Sequence, residues 1–242
     1  GTNGFFILKD GNSVTDQSGN SNNLTVGAGT LTKTEDCPDN VFATLNPLAL
    51  TTRQTLSNGN LTGTSSSWTS AISTIGVTTG KWYAEVKYVN ATGNIMVGVM
   101  DEQDMSSLTG GTGGLGFTTN SVGYYSSDGT KFIGDSASSY GASYTANDIL
   151  GIAVDLDSGT KTVTFYKNGA SQGAINLPTT GTGTFFIGTS TTSNGVTSIN
   201  FGNGYFGSTQ ISSAGTNASG IGIFEHDVPA NHTALSTKGL NL

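Results

Sequence analysis

The stretch NDILGIAVDLDSGTKTVTFYKNGASQGAI, residues 147–175, restricts what this chain can fold into more than any other. Leu150, Ile152, Val154 and Leu156 recur at period two, and a strand puts such residues on one face. Ile149, Gly151 and Ala153 fall on the opposite face, so the segment reads as a strand covered on both sides. DLDSG then turns the chain, and Val163 and Phe165 share a face on the return. Asn168-Gly169 is the strongest short hairpin signal, because a type I′ turn needs positive φ at both central residues. ASQGAI completes a three-stranded meander, which is antiparallel by construction.

The same reading extends along the chain. In GKWYAEVKYV, Trp82, Ala84, Val86 and Tyr88 share one face, while Lys81, Tyr83, Glu85 and Lys87 take a largely polar one. That pattern predicts a half-buried strand. NATGN turns the chain into IMVGVM, VGYYSSDGTKFIG reads as a hairpin, and TFFIGTS and SINFG read as strands. No stretch keeps a 3.6-residue apolar period. Composition agrees: with 36 Gly, 4 Pro and only 10% charged residues, the chain is dominated by Thr, Ser, Asn and Gly, which favour strands and turns. The prediction is an all-β, antiparallel β-sandwich. DEQDMSSLTGGTGG, residues 101–114, has no pattern and reads as a long loop, and residues 10–40 and 51–73 are turn-dense. Repeats and a charged or Pro-rich linker are absent, so residues 1–242 are expected to form one domain.

Several partners are disfavoured. The net charge is −7 and no Lys/Arg cluster occurs, whereas a phosphate-tracking surface needs clustered cations. No nucleic-acid partner is expected. The longest apolar runs are about six residues against the roughly 20 of a membrane helix, so no membrane insertion is expected. Cys37 is the only cysteine, which rules out an intrachain disulfide. The chain opens GTNGFF without Met, as a processed product or an excised piece would.

GKWYAEV followed by YTANDILGIAVDLDSGTKTVTFYKNGASQGAI resembles the SPRY domain, a sandwich of the concanavalin-like lectin and glucanase type. The family pattern is an aromatic-rich strand ending in Glu-Val, then Gly-Asp, an apolar strand closing on Asp, a turn and Phe-Tyr-x-Asn-Gly. Asn147 stands where the family has Gly, a change a turn tolerates. The likeness covers residues 56–206, with segments 1–55 and 207–242 expected to pack on that core. FFILKDGNSVTDQSGNSNNLTV, NVFATLNPL, LSNGNL and PANHTALSTKGLNL are similar to the framing of SPRY domains in marine bacteriophage virion proteins. The resemblance implies a non-catalytic binding or structural module at the virion surface, in a tail fibre, head fibre or decoration protein. Its implied partners are host glycan, neighbouring viral structural proteins and further copies of itself, as a homo-oligomer within the virion. The alternatives are a purely structural virion component and a carbohydrate-binding module of a secreted bacterial protein.

Catalysis is not expected. Retaining glycosidases set two carboxyl groups about 5 Å apart, on sandwich folds as alternating acids along one strand. Among only four Glu, Glu85 has Tyr83 and Lys87 as its i±2 neighbours, and Asp155 and Asp157 run straight into a turn that they are suited to cap. His226 and His232 around Asp227 do not match zinc-ligand spacing. The DEQD cluster, residues 101–104, offers oxygen ligands for calcium, but a solvated acidic loop is the expectation and no cofactor is assigned. Recognition is expected in the loops 101–114 and 134–147 and at the hairpin tip Ser126–Gly129. These supply Asp101, Glu102, Asp104, Tyr140 and Asp128, while Trp68 and one of Tyr124 or Tyr125, with Tyr125 taken, are the aromatics expected at the surface. Carboxylates, rings and Gly backbone together suit a neutral glycan or a partner's polar surface.

Overall fold

The meander forms as the alternation requires. In this computed structural model, which describes residues 1–7, 14–28, 36–49, 54–109 and 113–242, its strands are β9 (Ile149–Asp155), β10 (Thr162–Lys167) and β11 (Ala170–Asn176). Lys167 pairs with Ala170, leaving Asn168 (φ 48°) and Gly169 (φ 80°) as a two-residue turn with both central φ positive.

The meander ends an eight-stranded sheet. Its order is β1 (Thr55–Ser57), β2 (Thr62–Ser65), β13 (Gly195–Asn200), β4 (Lys81–Asn90), β9, β10, β11, with β16 (Thr233–Ala234) parallel to the start of β4. A six-stranded sheet runs β3 (Thr69–Ile72), β12 (Phe185–Thr191), β5 (Ile95–Asp101), β6 (Ser121–Tyr125), β7 (Lys131–Ile133), β8 (Ser136–Ser138). β14 (Tyr205–Phe206) and β15 (Thr209–Gln210) form a separate ribbon. The two large sheets face one another across a shared core. Val86, Leu150, Ile152 and Phe165 come from one sheet and Val97, Val99, Tyr124 and Ile187 from the other. The Tyr124 and Phe165 rings meet across it at 5.5 Å. The protein is therefore an all-β antiparallel sandwich, as the periodicity predicts.

Three local expectations are corrected. The polar face of β4 is covered, not solvated: Tyr83 and Glu85 are buried beneath the C-terminal segment. Phe224 packs on Tyr83 at 5.0 Å, and the Glu85 carboxylate accepts the backbone N–H groups of Glu225 (2.7 Å) and His226 (2.8 Å). Periodicity reports one face of a strand and cannot see a later segment laid over the other. The turn-dense stretch 51–73 contains β1, β2 and β3, whose Thr and Ser hydroxyls pair inside the protein, as in Thr62 with Ser198 at 2.8 Å.

The third correction is 101–114. Asp101 ends β5, Glu102–Asp104 is a 3-10 turn and Ser106–Thr109 a single helical turn. Residues 110–112 lie outside the described part. Gly113–Gly116 then lies flat on the outer face of the six-stranded sheet, tied by sheet hydroxyls. Ser70 Oγ donates to the Gly113 carbonyl (2.6 Å), and Ser190 Oγ and Ser121 Oγ accept from the N–H groups of Leu115 and Gly116 (both 2.8 Å). Gly123 permits this approach, since a Cβ there would stand 2.1 Å from the Leu115 carbonyl oxygen. Leu108 and Leu115 close over Ile72 and Met100, giving that sheet a second small core.

The chain divides into two compact units, Gly1–Glu35 and Asp36–Leu242. The first is organised by Asp16, whose carboxylate accepts the backbone N–H groups of Phe6, Ser18 and Asn22 within 2.9 Å. The second holds the sandwich, to whose core residues 36–49 contribute Phe42, Ala43 and Leu45, and 207–242 contribute Ile221, Phe224, Ala234 and Leu235.

Candidate functional site

At the end of the sandwich where β4, β6 and β10 finish, three connections converge. The β6–β7 hairpin tip is joined to the segment leading into β9 by backbone bonds, Gly141 N–H to Gly129 O (2.9 Å) and Tyr144 N–H to Ser126 O (3.0 Å), and that segment is tied to the end of β4, beside the β4–β5 turn, by Asn147 N–H to Tyr88 O (2.7 Å). Between them lies a cleft of about 420 Å³, lined among others by Tyr88, Asn94, Ser127, Tyr144, Thr145 and Lys167. Tyr88 and Tyr144 are buried ring neighbours at 6.2 Å, and burial pushes both phenols above their ordinary pKa. Lys167 donates to the Ser143 carbonyl (2.7 Å) and lies 3.3 Å from Asp148. Asp148 is partly buried, which alone would raise its pKa. The Thr145 N–H, the Asn168 amide and Lys167 outweigh that and hold it below the usual carboxylate range.

Asn94 links this cleft to a group of aromatic rings. Its side-chain amide donates to the Tyr125 hydroxyl at 2.8 Å. Strand alternation sends Tyr124 into the core and Tyr125 outward. Tyr125 meets Trp68 (5.8 Å), Trp68 meets Phe117 (5.8 Å), Phe117 meets Phe132 (5.4 Å), and Phe132 returns to Tyr125 (5.9 Å). All four contacts are edge-to-face, the geometry that ring quadrupoles favour. Each ring is partly buried, with one side at the surface. The result is an open aromatic patch bordering a polar cleft.

Only part of the sequence-expected set meets here. Trp68 and Tyr125 belong to the patch, and Asp128 is exposed at the adjoining hairpin tip, where it accepts the Thr130 N–H at 3.0 Å. Tyr140 is not a free loop aromatic. Its ring packs on Tyr124 (5.2 Å) and Phe165 (6.0 Å), and its hydroxyl donates to the Gly173 carbonyl (2.5 Å) and accepts from Phe165 N–H (3.2 Å). Burial raises its pKa to about 12.

Asp101 is likewise corrected: it is fully buried, and its oxygens accept the N–H groups of Gln103, Thr182 and Gly183 at 2.7–2.9 Å. Asp104 is spent on Asn120 N–H at 2.6 Å. Asp101 ends β5 and Asp104 lies just past it, at the end of the strand far from Asn94, roughly 20 Å away by strand rise. Tyr140, Asp128 and Asp104 therefore form no common surface. In the expected solvated acidic loop, Asp101 and Asp104 are structural ties while Glu102 is exposed, and among the described residues no three His, Cys, Asp or Glu side chains gather as metal ligands would. Asp155 caps its turn through Asp157 N–H (3.1 Å) and Ser158 N–H (3.0 Å), and pairs with Lys81 at 2.7 Å.

Asn94, Phe117, Phe132 and Lys167 escaped the sequence reading. Phe132 alternates outward within KFI, a signal too short to use, and Phe117 is brought in only by the folded 113–118 segment.

The SPRY domain family model matches residues 81–204, from the first residue of β4 to just past β13, slightly more than half the chain. No match was found among curated proteins. Among solved structures the chain is similar to a human SPRY domain, with 18% identity, 66% of this chain and 95% of that one covered, and a TM-score of 0.46. It is also similar to stonustoxin, at 19% identity and a TM-score of 0.51, where the likeness takes in 66% of this chain but only 27% of the toxin chain. At that identity the stonustoxin likeness is one of fold alone. By the extent and position of the family match, over the sandwich strands just described, the chain belongs to the SPRY domain family.

Proposed function

We propose that this protein is a binding module rather than an enzyme, carried on the surface of a bacteriophage particle, and that its loop-end surface holds a neutral glycan of the host. The observation that carries the ligand class is the Trp68–Tyr125 pair beside a polar cleft. Aromatic rings stack on the C–H faces of sugars while amide, hydroxyl and ammonium groups bind the sugar hydroxyls. The non-catalytic reading is supported by how the acids are used. Glu85, Asp101, Asp104 and Asp155 spend their oxygens on backbone amides, hydroxyls or Lys81, which is the work of structural carboxylates rather than of an acid–base pair.

The virion setting, in a tail fibre, head fibre or decoration protein, is supported by the likeness of the flanking segments to those of phage virion proteins. In that setting neighbouring viral chains and further copies of this one are its partners. Two measurements test the proposal. An antibody to the chain is expected to label purified particles; protein found in the culture fluid of a bacterium and not on particles would point to a secreted bacterial module instead. A glycan array probed with the whole chain is expected to return neutral host-surface glycans, and an array without binders would contradict the ligand class.

A further inference from the structure

The C-terminal segment closes a second cleft, also about 420 Å³, at the end of β4 opposite the loop-end surface. Seven residue steps along β4 lead from Lys81 here to Tyr88 there, roughly 23 Å. One wall includes the edge of Trp82, a ring only 4% exposed, whose indole N–H donates to the Thr79 carbonyl at 2.7 Å. The indole is clamped between two glycines: a Cβ on Gly80 would stand 2.8 Å from the ring and one on Gly239 3.1 Å. Such a wall is rigid, and its size suits a ligand of one or two sugar rings.

The polar groups of the cleft are unevenly committed. Lys81 is paired with Asp155 at 2.7 Å, so those charges cancel. Asp157 gives one oxygen to the Gly80 N–H at 2.7 Å, and among the described residues its other oxygen has no partner. The Asn231 side chain, exposed to solvent, likewise makes no hydrogen bond among the described residues. His232 Nδ1 lies 3.0 Å from the Ala230 carbonyl, which can only accept, so Nδ1 carries the proton. Burial lowers the His232 pKa, which keeps the ring neutral and leaves Nε2 an acceptor. The cleft thus offers two acceptors, one amide that both donates and accepts, and an apolar side from Trp82, Leu240 and Leu242.

Anionic ligands are opposed by Asp157, and Lys81 is already neutralised by Asp155. A pyranose matches all of it, with hydroxyls that donate and accept and a C–H face for the apolar wall. We infer that this cleft is a ligand site of its own, for a neutral, hydroxyl-rich ring of the hexopyranose class. It stands on its own residues and does not depend on the loop-end surface.

Titration calorimetry and saturation-transfer NMR of the whole chain with a panel of methyl hexopyranosides test this. Asp157→Asn keeps an oxygen for the Gly80 N–H and removes the charged acceptor, and Asn231→Gly suits the backbone there (φ 63°) while removing the amide. Each is expected to weaken binding by about 5–20-fold, the scale of one lost hydrogen bond to a polar ligand, and the double variant to abolish it at this cleft. His232→Ala, which leaves Asp157 and Asn231 intact, gives the same reading should the double variant fail to fold. Trp68→Ala is expected to leave this site untouched. The inference is overturned if no methyl hexopyranoside binds at millimolar concentration. It is equally overturned if a folded double variant binds as the wild type does, or if Trp68→Ala alone removes all binding.

Discussion

Glu85 is wholly buried, yet its carboxylate takes three donors: the Glu225 and His226 N–H groups and, at 3.2 Å, the Tyr83 hydroxyl. Burial is the larger influence and raises its pKa from an ordinary 4.5 to about 7, with the three donors pulling the other way. The folded value lies above the unfolded one, so this group's stabilisation is complete below about pH 4.5 and is lost as pH rises through 7. Asp148, Asp155 and Asp227 have depressed values and act oppositely, withdrawing stability as pH falls through the carboxylate range. Between pH 5 and 8 the wild type is expected to lose on the order of 3 kcal/mol more than Glu85→Gln, read from denaturant titrations at both values. Equal losses would show that Glu85 does not titrate there. Phe165, with no exposed surface, is expected to cost about 3–5 kcal/mol on truncation to Ala. A loss under about 1 kcal/mol would mean that its neighbours collapse into the space. The Phe165 position was legible from alternation alone. The Tyr140 environment was not, because its hydroxyl partners, Phe165 N–H and the Gly173 carbonyl, lie on strands far along the chain.

At the scale of elements, sequence pattern succeeded where a strand is apolar or a turn has strict chemistry. β9, β10 and the Asn168-Gly169 turn needed nothing beyond their own residues. It failed for the loop expected at 101–114, where the placement of 113–116 is supplied by hydroxyls of β3, β6 and β12 and by room left at Gly123. Two substitutions probe that cover. Gly123→Val places a branched side chain against the Leu115 carbonyl and is expected to detach the segment, raising hydrogen exchange at the Leu115 and Gly116 amides. Unchanged protection would show that the segment is held elsewhere. Asp101→Ala strips acceptors from the Gln103, Thr182 and Gly183 N–H groups and is expected to cost about 1–3 kcal/mol, measured by chemical denaturation. The aromatic patch was half legible for the same reason: Trp68 and Tyr125 stand out in sequence, whereas Phe117 arrives with the folded cover.

Across the whole molecule, a two-sheet scaffold fixes two clefts at opposite ends of one central strand, and the acids that look functional in sequence hold the scaffold together. Sequence identified the scaffold and its family, because sandwich strands carry their pattern locally. It could not locate the proposed recognition surface, because that surface is assembled from the ends of β4, β6 and β10 and depends on which loops meet. The most direct test of that surface is the affinity of the whole chain for its best array glycan, measured by calorimetry for the wild type and for Trp68→Ala with Tyr125→Ala. With the rings gone and the fold intact by circular dichroism, affinity is expected to fall by about 10–100-fold, the scale of one to three kcal/mol of stacking. A folded double variant that binds that glycan as tightly as the wild type would contradict the account.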